Sequence, residues 1–165
     1  MQKKAWSPKQ LALGGVLAAL VFVMTYLPKI PVPVTGGYIH AGDGMIFLAA
    51  MVVGPVAMVA GAIGSALSDL VGGYMVYVIP TFVIKGLMGY LAWKLYRRDL
   101  PHALLAFVAA EAVMVLGYFL FEAVVSGVPA ALGAIGPNVI QGIGGVVIGL
   151  LFQAVVPRLA VDQIK

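Results

Sequence analysis

The chain has no cysteine, so disulfide frameworks and thiolate chemistry are closed to it. Charge is scarce too: only 10% of its 165 residues are Asp, Glu, Lys or Arg. No Gly-x-x-x-x-Gly-Lys-Ser/Thr stretch occurs, which excludes ATP hydrolysis by the P-loop route. There is no His-Glu-x-x-His, and the only two histidines, His40 and His102, fall on opposite sides of the membrane in the topology below. No metal site and no cofactor are expected. The net charge is +4, but basic residues in so apolar a chain orient it in a bilayer, and no nucleic-acid partner is expected.

What the chain has in abundance is hydrocarbon. Its hydrophobic fraction is 62% and its mean hydropathy +1.07, far outside soluble usage. Its length holds about six spans of roughly 20 residues, with no room for a soluble domain. The expectation is an all-α, six-transmembrane-helix bundle forming a single integral membrane domain, 1–165. Spans are expected at about 11–27, 44–54, 56–71, 80–96, 102–125 and 131–156. The first apolar run is long for a secretory signal, and further spans follow it. After Pro28, the prolines and glycines to Gly37 predict a loop, extended or partly re-entrant.

With the N-terminus inside, Lys3, Lys4, Lys9, Lys94, Arg97, Arg98, Arg158 and Lys165 are cytoplasmic. Lys29 alone is outside and Lys85 lies within a span, so both termini are placed in the cytoplasm.

Five polar residues sit inside the apolar runs: Lys85, Glu111, Glu122, Asn138 and Gln141. An ionised group at the centre of a bilayer helix costs roughly 2.5–3.5 kcal/mol, so such groups face a bundle interior and handle something. The topology sets Lys85 about one turn below the outer end of the fourth helix. It sets Glu122 near the outer end of the fifth, Tyr118 a turn deeper and Glu111 in the inner half. Glu111, Tyr118 and Glu122 share one helix face, and Asn138, Gln141 and Gly145 form a stripe on the sixth helix. Asn138 and Gln141 could simply bond helix to helix; Lys85 with Glu122 reads as a ligand site. Tyr38, Tyr118, Phe119 and Phe121 suit stacking on a flat heterocycle, whereas Tyr74 and Tyr77 fit an interfacial aromatic belt. Ser65 or Ser68 with His40 and Asp69 could compose a hydrolase trio, but nothing in the sequence orients it.

Small residues at four-residue spacing mark close helix contacts. Ala57, Gly61 and Ser65 on the third helix suit internal packing. Ala12, Gly14, Gly15, Ala18 and Ala19 on the first helix suit docking to another subunit.

The runs Gly37-Tyr-Ile-His-Ala-Gly-Asp43, Gly61-Ala-Ile-Gly-Ser-Ala-Leu-Ser-Asp69 and Pro80-Thr-Phe-Val-Ile-Lys-Gly86, with the Gly54-Pro55 break, resemble the substrate-binding S component of energy-coupling-factor (ECF) transporters. The likeness lies toward the branch of riboflavin, pyridoxine and hydroxymethylpyrimidine carriers. It implies a high-affinity B-vitamin or vitamin-precursor binding subunit, its ligand pyridoxine- or pyrimidine-like, in a prokaryotic plasma membrane. Such a subunit is not an enzyme and works with a transmembrane coupling subunit and two ATPase subunits. The resemblance makes about Pro28 to Gly42 a lid and gives the binding wall to Tyr38, His40, Lys85, Tyr118, Glu122, Asn138 and Gln141. It gives the docking surface to the five small residues of helix one. A stand-alone small-molecule or ion transporter and an intramembrane hydrolase stay open as alternatives.

Overall fold

A computed structural model describes residues 6–34 and 36–156. Lys3, Lys4, Arg158 and Lys165, on which part of the charge argument rests, lie outside the described residues, as do both termini.

Helix α1 (Pro8–Tyr26) starts where sequence rules place a start. The Ser7 hydroxyl accepts from the Gln10 N–H at 3.2 Å, the Gln10 carboxamide accepts from the Ser7 N–H at 2.9 Å, and Pro8 opens the first turn. Pro28 ends it. The next segment, expected as a loop, extended or partly re-entrant, is extended and paired with itself. Strands β1 (Ile30–Val32) and β2 (Gly37–Ile39) form an antiparallel hairpin with Ile30 opposite Ile39. A two-stranded ribbon is all edge, so it tolerates Pro31, and Gly36 turns the chain at φ 71°.

Helix α2 (Gly42–Val53) runs into a 3-10 turn at Gly54–Val56 and then α3 (Ala57–Gly72). Gly54, at φ 62°, reverses the chain there. Gly61 lies against Ile46, 3.2 Å from its Cδ1 to a Cβ built on the glycine, whereas 15 residues of straight helix would separate them by about 22 Å. The two helices therefore fold back on each other, and Asp43 and Asp69 lie at the same end. A 3-10 turn at Met75–Tyr77 leads to α4 (Val78–Leu95), followed by α5 (Leu100–Val125) and α6 (Val128–Val155).

Among the described residues, five stretches are long and apolar enough to cross a membrane, with α2 and α3 counted as one 31-residue segment, Gly42–Gly72. The outward faces carry Val16, Ile79, Leu105, Val124 and Leu151, as expected of surfaces that meet lipid. Packing inside is close and built from small residues. Gly89 approaches the Ala57 carbonyl, Gly64 the Ala18 carbonyl, and Gly44 the side chain of Ile148. Phe47 and Phe107 stack at 4.5 Å over the space left by Gly149. The Tyr96 hydroxyl bonds Gln153, whose amide donates to the Arg98 carbonyl at 2.5 Å, tying the end of α6 to the α4–α5 connection.

Candidate functional site

A pocket enclosing about 520 Å³, part of it open to solvent, lies beneath the β-hairpin. Its wall takes Thr25 from the last turn of α1, Tyr38 and His40 from the hairpin side, Asp69 from α3, Tyr77 from the 3-10 turn before α4, Thr81 from the first turn of α4, Tyr118 and Glu122 from α5, and Asn138 and Gln141 from α6. Six of the seven wall residues expected from the sequence are thus gathered: Tyr38, His40, Tyr118, Glu122, Asn138 and Gln141.

Lys85 is the exception. Helix α4 begins at Val78 rather than near Pro80, so Lys85 sits two turns down, about 10 Å below the helix start. There it is 0% exposed and donates to Asp43 Oδ1 at 2.5 Å. Its expected association with Glu122 is replaced by this ion pair beneath the pocket. Asp43 is equally buried, and its other oxygen accepts from the Gln141 amide at 2.7 Å. Gln141 in turn accepts from the His40 N–H at 3.0 Å. A continuous set of hydrogen bonds therefore runs from the hairpin exit through α6 to the pair joining α2 and α4.

His40 Nδ1 accepts from the Gly42 N–H at 3.0 Å, which puts the neutral ring's proton on Nε2. Burial, the largest influence, lowers its pKa to about 3 against the pull of Asp43, and Lys85 and Lys29 push the same way as burial. The Tyr38 hydroxyl donates to Asp69 Oδ1 at 2.7 Å and lies 3.2 Å from Ser68 Oγ. Burial, then the Asp69 charge, raise the Tyr38 phenol above its ordinary range. Ser65 Oγ has no hydrogen-bond partner, Ser68 faces Tyr38 and His40 faces Gly42, so the hydrolase trio is not assembled.

Glu122 accepts from the Tyr77 and Ser126 hydroxyls, the latter at 3.0 Å. Tyr77 is therefore a wall residue rather than a member of an interfacial belt. Tyr74 packs against Tyr38 at 4.6 Å. Thr81 and Tyr118 share a hydrogen bond of 2.9 Å. Pro137 inside α6 leaves the Gly133 carbonyl without its helical donor, next to Asn138, and the tip residue Val34 rests against Gly133. At the mouth, Lys29 Nζ is 4.4 Å from the ring centres of Tyr26 and Tyr38 and 4.9 Å from that of Tyr74. This cation–π cluster joins the end of α1, the hairpin and the α3–α4 connection. Burial lowers the Lys29 pKa, with Asp69 opposing.

Glu111 lies deeper, 5% exposed, with both carboxyl oxygens buried and without hydrogen-bond partners. It lies over Gly142 and Gly145: a Cβ at Gly145 would come 2.2 Å from its Oε1, and one at Gly142 would sit 3.3 Å from its Cβ.

The small residues of α1 divide by face. Gly14 is buried against Val56 and Ala18 backs onto Gly64, so that pair packs internally. Ala12, Gly15 and Ala19 lie on the exposed face, and the space around Gly15 is open.

Sequence comparison adds a second line of observation. Residues 5–158 match the family described as ECF-type riboflavin transporter, S component, which is a family of transporter subunits and not of enzymes. The chain is 30% identical over 155 residues to the thiamine precursor transporter HmpT of Lactococcus lactis subsp. cremoris (strain MG1363), covering 93% of this chain and 90% of that protein. It is 37% identical over 132 residues to an uncharacterized protein of Pyrococcus woesei, covering 78% of this chain and 88% of the relative.

Proposed function

The chain belongs to the ECF-type riboflavin transporter S-component family of multi-pass membrane proteins, and on that premise we propose that it is the vitamin- or vitamin-precursor-binding subunit of an ATP-driven uptake transporter. The observation that carries this reading is the hairpin-covered pocket, whose polar wall is drawn from α1, the hairpin, α3, α4, α5 and α6. Tyr38, Tyr77 and Tyr118 suit contact with one flat ring, and His40, Glu122, Asn138 and Gln141 supply both donors and acceptors at its edges. A pyridoxine- or pyrimidine-like ligand fits that inventory, and the likeness to a thiamine precursor transporter supports the same choice.

Six crossings, with α2 and α3 forming a folded-back pair and both termini cytoplasmic, place the pocket at the outer face of a prokaryotic plasma membrane. The hairpin acts as the lid. Energy comes from a transmembrane coupling subunit and two ATPase subunits, and the exposed Ala12, Gly15 and Ala19 stripe of α1 is the docking face. Mass spectrometry of small molecules retained through purification, followed by calorimetric titration of the compound found, tests the binding function. A single-ring vitamin precursor bound one to one is the expected result. A protein that retains nothing and gives no heat with any vitamin or precursor would refute it.

A further inference from the structure

The pocket wall holds hydrogen-bonding capacity that the protein leaves unused. Asp69 is 4% exposed, and while its Oδ1 takes the Tyr38 hydroxyl, its Oδ2 is buried with no hydrogen-bond partner. The Thr81 hydroxyl is near enough to favour the Asp69 carboxylate and shares a hydrogen bond of 2.9 Å with Tyr118. Thr25 Oγ1, on the same wall and 1% exposed, also lacks a partner. A buried charged acceptor left unpaired in a finished fold is costly, and a ligand donor would relieve it.

Charge points the same way. Two carboxylates, Asp69 and Glu122, face the pocket, and no lysine or arginine is among its lining residues. Among the described residues, the one ammonium in the neighbouring interior, that of Lys85, is paired with Asp43, and Lys29 is held over three tyrosine rings at the mouth. Asp69 also sits in the last turn of α3, where the helix dipole adds negative potential.

We propose that Asp69 determines the pocket's specificity: Oδ2 accepts a hydrogen bond from an exocyclic amino group of a flat heterocycle, and the site rejects phosphorylated or carboxylated forms of the same ring. This rests on the pocket being the ligand site. An anionic substituent would have to shed its water next to two carboxylates with no cation in the wall, the Lys29 ammonium being held over tyrosine rings at the mouth. An amino group instead completes a charge-assisted hydrogen bond whose acceptor already stands in place.

The test is calorimetric titration of the purified protein in detergent with 4-amino-5-hydroxymethyl-2-methylpyrimidine, its 4-oxo counterpart and its phosphate ester. The amino ring should bind at least tenfold more tightly than the oxo ring, and the phosphate ester should give no measurable heat. Asp69→Asn keeps an acceptor for Tyr38 but presents an amide N–H where Oδ2 stood, so the amino-over-oxo preference should shrink below threefold or reverse. Equal loss for both rings in that variant would mark a structural role and overturn the proposal. The wild-type comparison stands even if the variant does not fold: equal affinity for the amino and oxo rings, or tight binding of the phosphate ester, overturns the proposal but leaves the pocket as a ligand site. No heat with any of these rings, nor with pyridoxine or riboflavin, overturns both.

Discussion

Lys85 Nζ lies 2.5 Å from Asp43 Oδ1, and neither side chain is reached by solvent. The pair joins α2 to α4 below the pocket, so its first consequence is for stability rather than for ligand contact. Breaking a buried pair by removing one partner costs roughly 3–5 kcal/mol, because the other charge is stranded. Lys85→Ala should therefore lower the melting temperature of the ligand-free protein sharply. Replacing both residues, as Asp43→Leu with Lys85→Met, should recover most of that loss. A thermal melt of the three variants in detergent checks it, and an unchanged melt for Lys85→Ala would return Lys85 to the binding wall.

The Lys29 cluster predicts a kinetic effect. Removing the ammonium from Tyr26, Tyr38 and Tyr74 gives up roughly 0.5–1 kcal/mol of cation–π attraction. Lys29→Ala should speed ligand release about two- to fivefold without altering the fold. Stopped-flow dissociation of bound ligand measures this, and an unchanged off-rate would show that the cluster does not hold the lid.

Two neighbouring glycines on α1 should behave oppositely. Gly15 faces open space, so Gly15→Leu should leave ligand binding intact and abolish co-purification with the coupling subunit. Gly14 is pressed against Val56, so Gly14→Leu should destabilise the isolated protein by at least the roughly 1–3 kcal/mol typical of overpacking. Normal assembly of the Gly15→Leu protein would move the docking surface elsewhere.

His40 gives a pH signature. Its pKa falls from 6.5 to about 3 on folding, so the folded state binds fewer protons than the unfolded state between those values. The stability contributed by the neutral ring is complete above pH 6.5 and is lost progressively as pH drops toward 3. His40→Gln should flatten the pH dependence of the melting temperature between pH 6.5 and 4.5, above the ordinary carboxylate range. An identical slope in the two proteins would show that the ring titrates freely.

Topology is open to chemical labelling. Cysteine placed at Val34, on the hairpin tip, should react with an impermeant maleimide in intact cells, and cysteine at Arg98 should not. The reverse pattern would invert the orientation.

Much of the architecture was legible because lipid imposes long apolar runs and glycine or proline punctuates them, as at Gly54-Pro55. The wall was legible through helical phase: Tyr118 and Glu122, four apart, share a face, as do Asn138 and Gln141, three apart. Asp43 was not, because an aspartate between two glycines reads as a loop residue and its partner Lys85 lies 42 positions away. The hairpin was hidden by Pro31 and Pro33, which argue against strand except at an edge. On α1 two small-residue pairs interleave, and only packing against Val56 and Gly64 reveals that Gly14 and Ala18 are spent inside while Gly15 and Ala19 are not.

The Asp43–Lys85 pair supports the pocket without forming its wall. Residues that touch a ligand can therefore be exchanged one at a time while the floor beneath them keeps its charge balance. The proposed docking face of α1 is separate again, on the exposed side of the bundle. A scaffold divided in this way can acquire a new cargo by substitutions at a few positions such as Asn138 or Asp69, and still present an unaltered surface to the machinery that drives it.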